Sequence, residues 1–340
     1  MTSRSHVRRA TRLLLGLAAL LCACQTLPEE LPRPRFEPTP SPSPVGPLAE
    51  LERDFRARVG GEPSGFLLLD RNEEALRWRL ALADDAVAWL DLQYYLWYRD
   101  DAGRLLLEAV LRAADRGVRV RILVDDLLFF GRDRNLRAVD AHPNVQVRLA
   151  NPWRLREGAL GRLVEFLSRM GRLNHRMHNK AMIADGHVAI VGGRNLGDAY
   201  FGLSEHSNFH DLDLLAVGPI VGELAEAFGR YWNSELVVEA EALPSETSRD
   251  ALDGIREKIR SELRASSRLE RFPQERADWS ERLASLPARL DAGSAKIIVD
   301  APSLHAQREG ESYRSLLEVL SAARREVLVA TPSPRTTYPR

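Results

Sequence analysis

The chain has 340 residues, 44% hydrophobic and 28% charged, and its 48 basic and 48 acidic side chains cancel to a formal net charge of zero. That length holds two domains, or one large one, with a substantial core. The balance excludes a global basic field that draws the protein to nucleic acid, and two cysteines exclude a disulfide framework.

The first elements lie outside any fold. Arg4, Arg8, Arg9 and Arg12 precede the apolar run Leu13 to Leu21, which is too short to span a bilayer and ends in Leu21-Cys22-Ala23-Cys24. Residues 1–24 read as a secretory signal. Residues 28–47 carry eight prolines, which favour polyproline II, so 25–63 is expected to be an extended tether.

From Ser64 the pattern is that of a folded domain. GFLLLD is a short apolar strand, EEALRWRLALADDA has helical spacing, and VAWLDLQYYLW is a second strand rich in aromatic residues. AGRLLLEAVLRAADRG reads as a helix closing on Gly117, and VRVRILVDD and VQVRLA as further strands. Strands and helices alternating at these lengths predict an α/β fold, a mixed, mostly parallel sheet flanked by helices. Residues 153–176 are amphipathic, with Leu160, Leu163, Val164, Leu167 and Met170 able to share a face. They suit a helix packed on the core, or a lid or membrane-facing ridge. KAMIA and HVAIVGG flank Asp185-Gly186, a hairpin signal. HDLDLLAVG alternates as a strand, and a helix is expected from Pro219.

Residues 241–292 lack strong periodicity and read as a helical connection. AKIIVDAP, YRSLLEVLSAARR and EVLVATP then echo the first strand, helix and second strand. The division is therefore one complete repeat at 64–240, an incomplete second repeat at 293–332, and a divergent tail at 333–340.

The chemistry concentrates in HRMHNKAMIAD at 175–185 and GGRN at 192–195. The chain is built on arginine, and only Lys180, Lys258 and Lys296 are lysine. A lysine at 180 supplies a compact ammonium in place of a planar guanidinium. On an extended strand His178 and Lys180 share one face, while Asp185 falls in the turn. Such a pair suits a phosphodiester: the ammonium holds non-bridging oxygens, and the imidazole attacks phosphorus or moves a proton. Asn195 could add an amide donor, and Gly192 and Gly193 would let backbone N–H groups approach the anion. His175 with His178, and His206 with His210, have helix-compatible metal spacing, which a strand at 178 breaks for the first pair. No metal or other cofactor is expected.

His178, Lys180 and Asp185, followed by Gly192-Gly193-Arg194-Asn195, resemble the HxKxxxxD…GGxN motif of the phospholipase D superfamily. QYYLW at 93–97, AADRGVRVRILVDD at 113–126, NHRMHNKAMIADG at 174–186 and GGRNLGDAYF at 192–201 are similar to bacterial cardiolipin synthases of the C type. The likeness covers roughly 64–332. It implies a phospholipase D-like fold and a phosphohistidine formed on His178, or a partner acid there. It also implies phosphate contacts from Lys180 and Asn195, and an orienting role for Asp185. A carboxylate normally orients the catalytic imidazole, and Asp211 or Asp213 is the candidate. The implied substrate is a phospholipid such as phosphatidylglycerol, with transfer to form cardiolipin or hydrolysis of a headgroup. A nuclease of the same superfamily is the alternative, against which the neutral charge argues. The segment ending at Cys24 resembles a bacterial lipobox, which implies a lipid anchor on Cys24. Gln25 then points to the periplasmic face of the outer membrane. Family enzymes use two such motifs, and no other HxK occurs here. That leaves a truncated, inactive half-enzyme, or a homodimer in which each chain gives one histidine.

Overall fold

A computed structural model describes residues 26–27, 32–129, 132–156, 165, 176–245, 247–300, 302 and 310–326. The strands are β1 (Ser64–Leu69), β2 (Trp89–Tyr94), β3 (Arg119–Asp125), β4 (Val145–Ala150), β5 (Ala181–Ala184), β6 (Val188–Gly192), β7 (Asp213–Val217), β8 (Val237–Glu239) and β9 (Asp291–Gly293). They form one sheet in the order β8-β4-β3-β2-β5-β6-β7-β1-β9. The helices are α1 (Pro47–Val59), α2 (Asn72–Asp85), α3 (Asp101–Asp115), α4 (Asp133–Asp140), α5 (Asp198–Phe201), α6 (Pro219–Trp232), α7 (Arg249–Ala265), α8 (Ser280–Arg289) and α9 (Glu311–Ala322).

Both faces of the sheet are covered. On one, Leu90, Leu92, Val120, Ile122, Met182, Ile190 and Leu215 meet the apolar sides of α1, α2, α3, α4, α7 and α8. On the other, α6 lays Ile220, Leu224, Phe228 and Trp232 over Leu123, Ile183, Ala189 and Ala216. Strand β2 is buried at all six residues. Its polar members survive there because Asp91 is met by Arg121 from β3 through two hydrogen bonds of 2.6 Å. The Arg121 guanidinium also lies 5.0 Å from the Phe228 ring, which faces the charge on its other side.

The sheet is mixed and helix-flanked as expected, but the mostly parallel pairing is corrected. Only β2–β3 and β3–β4 pair in parallel, and the other neighbours are antiparallel. Strands β1 and β2 do run in the same direction. The hairpin β5–β6 and strand β7 are inserted between them, which the strand–helix–strand rhythm does not register.

The tether is corrected over its described part. Residues 32–43 run along the body without regular secondary structure and bend at 44–46, and proline-rich backbone still offers carbonyls as acceptors. Arg148 donates to the Arg35 carbonyl, Asn233 to that of Glu37, and Trp89 to that of Ser41. Residues 47–59 form α1, which buries Leu48, Leu51 and Phe55 in the core. The expected connection at 241–292 is equally part of that core: Leu252, Ile259, Leu269, Trp279 and Leu286 are buried.

In the second-repeat region α9 forms as expected but buries no residue. No strand forms at AKIIVDAP among its described residues, and β9, just before it, takes the edge of β1. The signal segment with Cys24, residues 157–164 and 166–175 of the amphipathic segment, most of EVLVATP and the tail lie outside the described residues.

Candidate active site

Strand directions bring the chemistry to one edge. There β2, β3 and β6 end while β5 and β7 begin, as the pairings of Gln93 with Ala181 and of Gly192 with Asp213 show. Residues 176–180 approach this edge in extended form, so His178 and Lys180 emerge on the same side. The Lys180 ammonium lies 3.0 Å from His178 Nδ1 and donates to the His178 carbonyl at 2.5 Å. Lys180 is 7% exposed, whereas His178 is open to solvent.

Tyr95, one residue past β2, is the floor. Its ring centre is 4.7 Å from that of His178, and the ammonium is 5.4 Å from the same ring. Burial pushes Lys180 down to about 8, opposed by the nearby Asp211 carboxylate. Burial, then the Lys180 charge, lowers the His178 imidazole from its ordinary value. Both shifts weaken the protonated forms, which leaves a neutral imidazole beside a cation of moderate acidity.

Asn195 reaches the same edge. Its Oδ1 accepts from the Leu96 N–H at 3.0 Å and its Nδ2 donates to the Tyr200 hydroxyl at 3.0 Å, leaving one amide hydrogen for a ligand. Phe209 packs against Tyr200 with the rings tilted and their centres 4.8 Å apart.

Gly192 and Gly193 do not act as foreseen. The Gly192 N–H goes to the Lys180 carbonyl and the Gly193 N–H to that of Leu212, so neither N–H is offered to an anion. Their need is for space. A Cβ at Gly192 would stand 2.2 Å from Asp213 Oδ1, and one at Gly193 2.0 Å from Asp211 Oδ1.

The two orienter candidates separate. Asp213 is buried between Arg79 at 2.9 Å and Arg194 at 3.3 Å, so it belongs to a core network and does not orient His178. Tyr94 joins the same network through Arg79. Asp211 lies close enough to raise the Lys180 pKa, but its hydrogen bond is to the Leu212 N–H, and none joins it to His178 among the described residues. Asp185 sits at the opposite edge. Its carboxylate accepts from the N–H groups of Val87, Ala88 and Trp89 at 2.8, 2.8 and 2.9 Å, tying the hairpin turn to the start of β2. Its φ of 53° is one that Asp and Asn tolerate.

Sequence reasoning assigned no role to Tyr95, Tyr200 or Asp125. Asp125, at the end of β3, accepts from Arg176 at 3.0 Å and from the Met177 N–H at 3.2 Å, fixing the segment just before His178. Burial raises its carboxyl to about 7 against the pull of Arg176. The signal for it was available: the second half of VRVRILVDD ends a buried strand on two consecutive carboxylates.

Residues 83–232 match the family described as "Cardiolipin synthase, PLD-like domain". The chain is 49% identical over 168 residues to cardiolipin synthase C of Escherichia coli (strain K12), an alignment covering 49% of this chain and 35% of that protein. It is 30% identical over 243 residues to an uncharacterized protein of Helicobacter pylori (strain J99), covering 71% of this chain and 48% of that one. The chain thus spans about a third to a half of the length of these curated relatives. Among solved structures, NucT from Helicobacter pylori aligns at a TM-score of 0.38 and 16% identity over 53% of this chain and 99% of that one.

Proposed function

We infer, for a chain that carries a phospholipase D-superfamily, cardiolipin-synthase-like domain, that it transfers phosphatidyl groups on phospholipids through a phosphohistidine at His178. The observation that carries this is the solvent-open imidazole with a buried ammonium 3.0 Å away. An ammonium directed at Nδ1 requires a lone pair there, which places the neutral ring's proton on Nε2. When a phosphodiester draws Lys180 to its non-bridging oxygens, Nδ1 is released to carry that proton and Nε2 is bared for attack. The P–N bond forms as the P–O bond to the leaving oxygen breaks, and that oxygen takes a proton from water to depart as the alcohol. An acceptor hydroxyl then reverses the exchange. Lys180 and the remaining amide hydrogen of Asn195 hold the charge that develops on phosphorus oxygens.

The test is incubation of the purified full chain with phosphatidylglycerol vesicles beside His178→Ala. Cardiolipin from the unmodified chain alone supports transfer, and phosphatidic acid alone supports hydrolysis. Absence of any product defeats the reading in favour of an inactive chain, and His178-dependent plasmid nicking in chelator would favour the nuclease. We also propose the lipid anchor at Cys24, which holds the site near bilayer substrate. Cys24→Ala should move the protein from the membrane fraction to the soluble one, and unchanged partition overturns the anchor.

A further inference from the structure

Beside the catalytic edge lies a cavity of ≈ 240 Å³ that opens to solvent. Its walls are Leu107 from α3, Ile122 and Val124 from β3, Val139 from α4, and Ile255 and Ile259 from α7. A well-packed core leaves no such space, and an apolar hollow with a polar mouth is the form of a ligand site. Its mouth carries Arg99, Arg132 and Lys258. Neighbouring arginines are matched: Arg104 with Glu262, and Arg256 and Arg260 with Glu108. No ion pair or hydrogen bond joins the side chains of Arg99, Arg132 or Lys258 to a carboxylate among the described residues. Burial, and then the charge of Arg99, lowers the Arg132 pKa, so two cations crowd one another at the rim. Lys258 is one of only three lysines in the chain.

The continuation of β2 links the cavity wall to the catalytic edge. Tyr98 lines it, and the Tyr98 phenol is raised by burial and then by Tyr200, with Tyr95 contributing further. Tyr200 in turn holds Asn195, and Tyr95 floors His178. The Tyr98 N–H binds the Leu196 carbonyl, next to Asn195.

We propose that this cavity is the acceptor subsite, binding one acyl chain of a second anionic phospholipid with its phosphate on Arg99, Arg132 and Lys258. The phosphate under attack already has Lys180, so a separate cation cluster over a separate apolar hollow matches a second phosphate attached to a hydrocarbon chain. The headgroup hydroxyl of that lipid then attacks the phosphohistidine phosphorus. Its O–P bond forms, the P–N bond breaks to release the neutral imidazole with its proton on Nδ1, and the hydroxyl proton passes to water. The role in transfer rests on the function proposed above, whereas binding does not require turnover.

Trp97 lines the cavity and serves as reporter. The full chain, as His178→Ala and unmodified, is titrated with phosphatidylcholine vesicles containing phosphatidylglycerol brominated along its acyl chains, and tryptophan quenching is read. A saturable component that disappears in Trp97→Phe is expected, with its midpoint raised about tenfold or more in Arg99→Glu/Arg132→Glu. No Trp97 component, or an unmoved midpoint, overturns the subsite. Quenching by brominated stearate at an equal midpoint reassigns the cavity to free fatty acid and also overturns it. In turnover, Val139→Trp, which fills the cavity, and the charge-reversed pair should each lower the ratio of cardiolipin to phosphatidic acid. An unchanged ratio in both variants, with products still formed, overturns the acceptor role. Absence of product from the unmodified chain with quenching intact defeats the proposed function, and the lipid site stands on binding alone.

Discussion

Asp185 ends the HxKxxxxD pattern, yet its geometry gives it a structural task. Its buried carboxylate accepts three backbone N–H groups at 2.8–2.9 Å, two on Oδ1 and one on Oδ2. Asp185→Asn keeps the shape and suits the φ of 53°. One amide face must then turn an N–H₂ toward a backbone donor, so one bond is lost and the others lose their charge. At roughly 1.5–3 kcal/mol for a hydrogen bond to a charged group, the expected loss of stability is ~2–4 kcal/mol. Asp185→Ala removes both acceptor oxygens, and with them all three bonds, and adds left-handed strain of about 1–2 kcal/mol, so it should fall further. Five residues of strand at about 3.3 Å each put Lys180 roughly 17 Å away, out of reach of any phosphate contact. Urea titration should therefore show a lower midpoint with an unchanged slope, while turnover per folded molecule stays near that of the unmodified chain. An unchanged midpoint together with a fall in turnover of about 10² or more, the size expected for loss of a proton-transfer group, would refute the structural assignment.

Lys180 titrates near 8, so activity should fall as pH rises through about 8. Lys180→Arg keeps its charge there, lowers the maximum through poorer fit, and should move that basic limb upward in a pH–rate profile. The same shift acts on stability: between about 8 and 10.5 the folded state binds fewer protons than the unfolded, so stability rises with pH, and Lys180→Met should flatten that rise in thermal melts. Asp125 has the opposite sign. With its carboxyl raised from 3.8 to about 7, the folded state holds the extra proton and stability falls as pH rises across that window. Asp125→Asn should remove that slope, and a slope that persists would place the titration elsewhere. Gly193→Ala pushes its Cβ against the Asp211 carboxylate, 2.0 Å away as built. Retreat of that charge lowers the Lys180 pKa, so the basic limb should move to lower pH, and an unmoved limb would discount the Asp211–Lys180 coupling.

What the sequence disclosed depended on whether the geometry is local. His178 and Lys180 are two residues apart, and extended backbone alone puts them together, so their pairing was readable before any fold was known. The spacing from Lys180 to Asp185 is the length of one strand: β5 fills residues 181–184, carrying the chain from the edge that bears His178 and Lys180 to the clamp at the far edge. The motif therefore encodes the width of the sheet as well as its chemistry. The glycines failed as a reading because a glycine signals closeness without naming the neighbour, and here the neighbours are the Asp211 and Asp213 side chains rather than an anion. Tyr95 and Tyr200 had no local signature, and the paired carboxylates that end β3 mark Asp125 without naming its partners, since the three leave different elements and meet only because β2, β3 and β6 end at one edge. The sheet's pairing was misjudged for the same reason: β1 and β2 keep the direction that their helical crossover implies, and the later hairpin with β7 enters between them. That insertion has a functional effect. It sets β5 directly against β2, with Ala181 opposite Gln93, and so lowers His178 and Lys180 onto Tyr95. With β1 paired directly to β2, as a plain parallel succession would have it, the imidazole and ammonium would have no aromatic floor to share.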